Sequence, residues 1–191
     1  MANYCSTQIT ISGKESDIDI LYLHLERALK YDEKQNKDWL GNILCYLGED
    51  PENYSCRGRV IYMEKQNESI IIDTETAWVP MLVPFRLMID KYAPELDMVY
   101  TAEELGMGIF CTNDPAEDEY YIDAFYYEGD DNFPANLVTC ESYLSKKELY
   151  KELVTATNRN GSMEDLIQEL QDKFEHFIVH EMEYVEESNW G

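Results

Sequence analysis

The stretch RVIYMEKQNESIIIDTETA, residues 59–77, decides the fold. Two runs, 59–65 and 69–77, are rich in β-branched and aromatic residues and are separated by Gln66, Asn67 and Glu68. Such side chains fit a pleated, half-buried surface, and a short Asn-containing break turns a chain back on itself. The stretch therefore reads as an antiparallel hairpin. On its N-terminal side, residues 32–58 are irregular. YDEKQNKD is polar, WLGNILCYLG spaces Trp39, Ile43, Leu44 and Leu47 like one side of a short helix, and GEDPENYSCRG is rich in turn formers. We read 32–58 as an insertion between core elements. Before it, Ile18, Leu21, Leu25, Ala28 and Leu29 recur at helical spacing up to about Tyr31. Ser16 is the expected N-cap, with Asp17 and Asp19 in the first turn. At the start of the chain, Cys5, Thr7, Ile9 and Ile11 alternate with Gln8, Thr10 and Ser12, a half-buried strand closed by Gly13.

The C-terminal side of the hairpin repeats the pattern. VPFRLMIDKY, 83–92, places Phe85, Met88, Ile89 and Tyr92 on one helical face. Pro84 sits in the first turn, where its missing N–H costs nothing, and Pro94 ends the helix. MVYTAEE, 98–104, reads as a strand. The order is β-α-β-β-α-β, the ferredoxin-like arrangement. A bend at Gly106 and Gly108 leads to a further strand, 108–113. EYYIDAFYYE, 119–128, puts Tyr120, Ile122, Ala124 and Tyr126 on one face and Tyr121, Asp123, Phe125 and Tyr127 on the other. Rings on both faces predict a strand inside a sheet, partly covered on both sides. Residues 135–191 read as a mainly helical extension. Ser145 caps KKELYKELVTA, Asn160-Gly161 breaks it, Ser162 with Asp165 opens MEDLIQELQDKFEHF, and FIVHEMEYVEE closes as a strand. With no linker or repeat, 1–191 is read as one α+β domain: a ferredoxin-like core, extra antiparallel strands and a helical C-terminal extension.

Several residues of this frame carry a resemblance. Asn3, Tyr4, Cys5 and Gly13 in MANYCSTQITISG resemble the N-terminal strand of the YubB-type ferredoxin-like proteins of bacteria, plasmids and phages, with Tyr4 where Trp is more usual. Trp78, Pro80, Pro84, Tyr92 and Pro94 resemble that family's strand-end Trp, Pro-bearing helix start and Tyr-x-Pro exit. Glu104, Gly106 and Gly108 resemble its strand–bend–strand. The resemblance covers about residues 1–31 and 59–128. It implies a ferredoxin-like domain and a bacterial or mobile-element setting, and it implies no catalytic residue.

Composition narrows the function classes. Apolar residues make up 45% of the chain, so it is built to fold. Thirty-nine Asp and Glu against 15 Lys and Arg give a net charge of −24. That field repels phosphates and anionic membrane surfaces, which excludes direct nucleic-acid and membrane binding, and it favours basic protein partners. Five cysteines, Cys5, Cys45, Cys56, Cys111 and Cys140, show no C-x-x-C spacing and sit mostly among apolar neighbours. This fits a reducing compartment. With no signal peptide and no apolar run of membrane-spanning length, the expected location is cytoplasmic.

Charge also marks the candidate site. Residues 92–145 hold no lysine or arginine. Within them lies AEDEYYIDAFYYEGDD, 116–131, whose Glu117, Asp118, Glu119, Tyr121, Asp123, Tyr127, Glu128, Asp130 and Asp131 are the partner-binding candidates. Carboxylates spaced along a rigid sheet edge with tyrosines between them imitate the phosphate line of a duplex, so the expected role is a non-enzymatic interaction protein, an acidic mimic that occupies the nucleic-acid groove of a basic host protein. The alternative is a carboxylate- or metal-dependent hydrolase, with His176 and His180 four apart as candidate ligands. No nucleophile–base signature, phosphate loop or EF-hand spacing appears, so no catalytic residue, metal or cofactor is expected. A homo-oligomer formed through a sheet edge is a further arrangement the pattern allows.

Overall fold

A computed structural model describes residues 3–31, 37–115, 119–124, 133–138, 143–174 and 177–190. The chain is α+β, with two sheets. Its elements are β1 (Tyr4–Ser12), α1 (Glu15–Leu29), α2 (Gly41–Leu47), β2 (Gly58–Lys65), β3 (Ser69–Ala77), α3 (Val83–Tyr92), β4 (Asp97–Glu104), β5 (Ile109–Thr112), β6 (Glu119–Ala124), α4 (Ala135–Val138), β7 (Leu144–Ser145), α5 (Lys146–Thr157), α6 (Met163–Lys173), β8 (Phe177–Glu181) and β9 (Glu183–Tyr184). Short 3-10 turns lie at Pro51–Tyr54, Leu105–Met107 and Glu187–Trp190. Residues 1–191, read from sequence as one domain, form two compact units: 1–115 with 184–191, and 116–183.

In the first unit the sheet order is β2-β3-β1-β4-β5-β9. β1 runs antiparallel to β3 and β4, and β2 antiparallel to β3. Ile9 lies opposite Ile72 on one side and Tyr100 on the other, so one register aligns the apolar positions of three strands. Cys5, Thr7, Ile9 and Ile11 are buried and their alternates are not. Against this buried face pack Ile18, Leu21 and Leu25 of α1 and Phe85, Met88 and Ile89 of α3, all fully buried. The stretch read as an insertion joins the same core through Leu40 and Ile43. Residues 38–40 also follow the outer edge of β2, with Leu40 N–H donating to Gly58 O and Val60 N–H to Asp38 O. This covers part of an otherwise open edge.

Ser16 does not cap α1. The cap position is Lys14, which makes no side-chain cap bond, and Ser16 Oγ donates to Asp17 Oδ1 inside the first turn. The chain enters the helix early because Gly13, at φ +152°, turns it tightly under Leu96. A Cβ there would lie 2.5 Å from Leu96 Cδ2.

The last residues of this unit are tied to its core. Val185 N–H donates to Thr112 O at 2.7 Å. The buried Tyr100 hydroxyl donates to Val185 O at 2.7 Å and accepts from Trp190 Nε1 at 2.6 Å. Arg86 of α3 pairs with Glu187. Burial holds the Tyr100 phenol well above its ordinary pKa, so the hydroxyl stays a donor at all physiological pH.

The second unit has its own sheet, β7-β6-β8, with β6 central and antiparallel to both neighbours. Its core gathers Tyr120 and Ile122 of β6, Leu149 and Leu153 of α5, Leu166 and Leu170 of α6, and Phe177 of β8. The Ser145 capping box opens α5, its hydroxyl accepting from Glu148 N–H while Glu148 accepts from Ser145 N–H. Ser162 caps α6 by accepting from Asp165 N–H at 3.1 Å. Residues 135–191 are thus more than a helical extension. Leu144, Phe177 and Val179 are strand residues that complete a sheet around β6, whose exposed backbone groups need partners.

Candidate functional site

Of the partner-binding candidates, Glu119, Tyr121 and the backbone of Asp123 are described. Glu117, Asp118, Tyr127, Glu128, Asp130 and Asp131 lie outside the described residues, as does His176. Glu119 is half-buried at the start of β6, opposite Ser145, and its carbonyl accepts from Met182 N–H at 2.9 Å. Tyr120 turns into the core and donates its hydroxyl to Glu181 Oε1 at 3.2 Å. Tyr121 takes the other face. Its ring lies 5.8 Å from that of Tyr143 and 6.3 Å from that of His180, its partner in register on β8. The strand therefore joins Tyr121, His180 and the exposed Tyr143 into an aromatic patch on the side away from the core. Such a patch supplies contact area at low entropic cost. Among the described residues, no group of three or more His, Cys, Asp or Glu is arranged to hold a metal ion.

Thiol chemistry is disfavoured at the described cysteines whose titration is shifted. Burial pushes Cys5 up to about 11, and it pushes Cys56 up to about 11 as well. Both are protonated and weakly nucleophilic near neutral pH. Cys111 is buried against Tyr100. His24, placed at a core edge by its sequence context, is half-buried on α1. Its Nδ1 is hydrogen-bonded to the Tyr46 hydroxyl at 2.9 Å, and its ring stacks on Tyr92 at 3.6 Å with 13° between planes. Burial, then Arg27 and Lys91, lower its pKa. The neutral ring ties α1 to α2 and α3.

Asn3, Trp78, Glu104 and Gly106, from three stretches of the chain, come to one end of the six-stranded sheet. Trp78 N–H donates to Asn3 O at 3.1 Å. Trp78 adopts φ +75°, a left-handed backbone unusual for so bulky a side chain. On β4, Glu104 is half-buried, and its Oε2 is buried with no hydrogen-bond partner among the described residues. A Cβ on Gly106 would lie 3.1 Å from Glu104 Oε1 and 3.4 Å from Asn3 Nδ2, so the glycine leaves room where the acid and the amide converge. Trp78, Val79 and Met107 are exposed. Sequence reading found these positions as parts of a resemblance and attached no role to Glu104. The tie between Tyr100 and Trp190 went unread because no local pattern links residues so far apart.

No family model, no curated protein and no solved structure matches this chain. Geometry and charge therefore carry the functional reading.

Proposed function

We propose that this chain is a non-enzymatic interaction protein that engages a basic protein through an acidic, tyrosine-bearing surface. Its first unit is read as a ferredoxin-like domain of the YubB type. The order β2-β3-β1-β4, antiparallel throughout, with α1 and α3 packed on one face, supports that reading.

One observation carries the functional reading. Strand β6 commits Tyr120 and Ile122 to a core, leaves Tyr121 beside Tyr143 and His180, and lies within 116–131, a stretch bearing Glu117, Asp118, Glu119, Asp123, Glu128, Asp130 and Asp131 and no lysine or arginine. Self-repulsion in such a stretch opposes folding. A basic partner removes that repulsion on binding and is drawn in at long range. The finer form of the proposal is mimicry of nucleic acid. Its test is capture of partners from a bacterial lysate on the immobilised chain. A basic nucleic-acid-binding protein is expected to be retained at low salt, released at high salt and displaced by added duplex DNA. Unchanged capture by a Glu117→Lys, Asp118→Lys, Asp130→Lys variant would overturn the proposal.

A further inference from the structure

We infer that the end of the six-stranded sheet at Asn3, Trp78 and Glu104 is a socket for one cationic side chain, lysine or arginine, of a basic protein. This rests on the interaction reading above and gives it a second, defined point of contact in the first unit.

The starting observation is a buried carboxylate oxygen without a partner among the described residues. A carboxylate taken out of water is costly unless it gains a donor or a cation. Glu104 is half-buried and its Oε2 is buried without a partner among the described residues. The two cations of β2, Arg59 and Lys65, lie three strands away in the order β2-β3-β1-β4 and are paired with Glu75 and Asp19. Among the described residues, none forms an ion pair with Glu104.

The surroundings have the other features such a socket needs. Gly106 keeps open the space between Glu104 Oε1 and Asn3 Nδ2. Trp78, whose N–H donates to Asn3 O, Val79 beside it and Met107, next to Gly106 in the chain, are exposed apolar side chains. Lysine and arginine are matched to this combination, because an apolar stem lies along an aromatic or aliphatic rim while the charged head reaches a carboxylate. An anionic ligand meets Glu104 and a chain of net charge −24, and a neutral apolar ligand leaves the carboxylate unpaired. Trp78 strengthens the assignment. Its left-handed backbone strains a residue that glycine would satisfy at no cost, and strain of this kind persists where the side chain serves a contact.

Calorimetric titration of the full chain at physiological salt, with hexalysine, hexaarginine and fully acetylated hexalysine, tests the socket. Long-range attraction to the acidic surface is screened under these conditions. At least one of the charged peptides is expected to bind, and the tighter of the two identifies the preferred head group. Acetylated peptide is expected not to bind. Glu104→Gln and Trp78→Gly should each weaken binding about tenfold, the scale of one charge-assisted or cation–π contact. Asp97→Asn, which removes the same charge at the far end of β4, should change it less than about twofold. Trp78→Gly should melt no lower than the parent chain, so its loss of binding is not a loss of fold.

Equal weakening by Glu104→Gln and Asp97→Asn would overturn the socket, since net charge alone would then explain binding. Failure of both charged peptides to bind, or binding of the acetylated one, would overturn it too. None of these results touches the lysate capture, which reads the 116–131 surface and fails or succeeds on its own.

Discussion

The two sheets are built in opposite ways. In the six-stranded sheet, β2 and β3 are joined by a three-residue turn, and each helix that covers the buried face sits between strands of that same sheet. In the three-stranded sheet, β6 pairs with β7 across α4 and with β8 across two further helices, so Tyr121 meets His180 from far along the chain. Within the first sheet, the β2–β3 hairpin is specified by turn chemistry and periodicity in a short window. The second is specified by which strands are left with unpaired backbone and one apolar face. A stretch such as 119–124 announces that it is a strand without announcing its neighbours.

The comparison can be broken most forcefully in the cores. Phe85→Ala, in a fully buried site under the larger sheet, should cost about 3–5 kcal/mol. Amide exchange should accelerate across β1 and β3 while β6 and β8 keep their protection. Leu149→Ala, fully buried in the smaller core, should cost about 2–5 kcal/mol and give the reverse pattern. Loss of protection in both sheets from either substitution would mean that they fold as one cooperative block.

A finer probe is Ser145→Ala, which removes the capping hydroxyl of α5. It should lower stability by about 1 kcal/mol, read as a shift in urea midpoint with the slope unchanged. A null result would show that α5 is held by packing alone.

The smallest effect sharpens the picture of the larger unit. His24 has a folded-state pKa below its ordinary value, with burial the leading cause, so folding favours the neutral ring. Its contribution is complete above the ordinary histidine pKa of 6.5 and is lost as pH falls through the lower folded value. The gap in urea midpoint between the parent chain and His24→Gln should therefore narrow from pH 7.5 to pH 5. A gap that widens on acidification would reverse the sign assigned here.

Legibility followed the same division. The hairpin and the helix at Val83–Tyr92 were read to within a residue, because Asn67, Pro84 and Pro94 act on backbone geometry locally. The bulge between Val60 and Tyr62 was not readable, since it depends on pairing with β3 and not on any turn residue. Ser16 lost the cap of α1 because the close approach of Gly13 and Leu96 is a tertiary constraint. For the site, sequence disclosed that 116–131 is acidic and aromatic. It also disclosed that Tyr120 and Tyr121 part to opposite faces. It could not disclose that Tyr143 and His180 join Tyr121, nor that Glu104 Oε2 would be buried without a partner among the described residues. Both facts depend on residues brought together only by the finished fold.

The bond between Tyr100 and Trp190 has a consequence for the order of events at the ribosome. The hydroxyl waits in a core strand for an indole 90 residues downstream, with all of 116–183 to be synthesised in between. The unit that begins first is thus completed last. Until Val185 and Trp190 emerge, nascent chains hold a buried phenol with neither of these partners, and a stall anywhere in 116–183 leaves the larger unit unsealed.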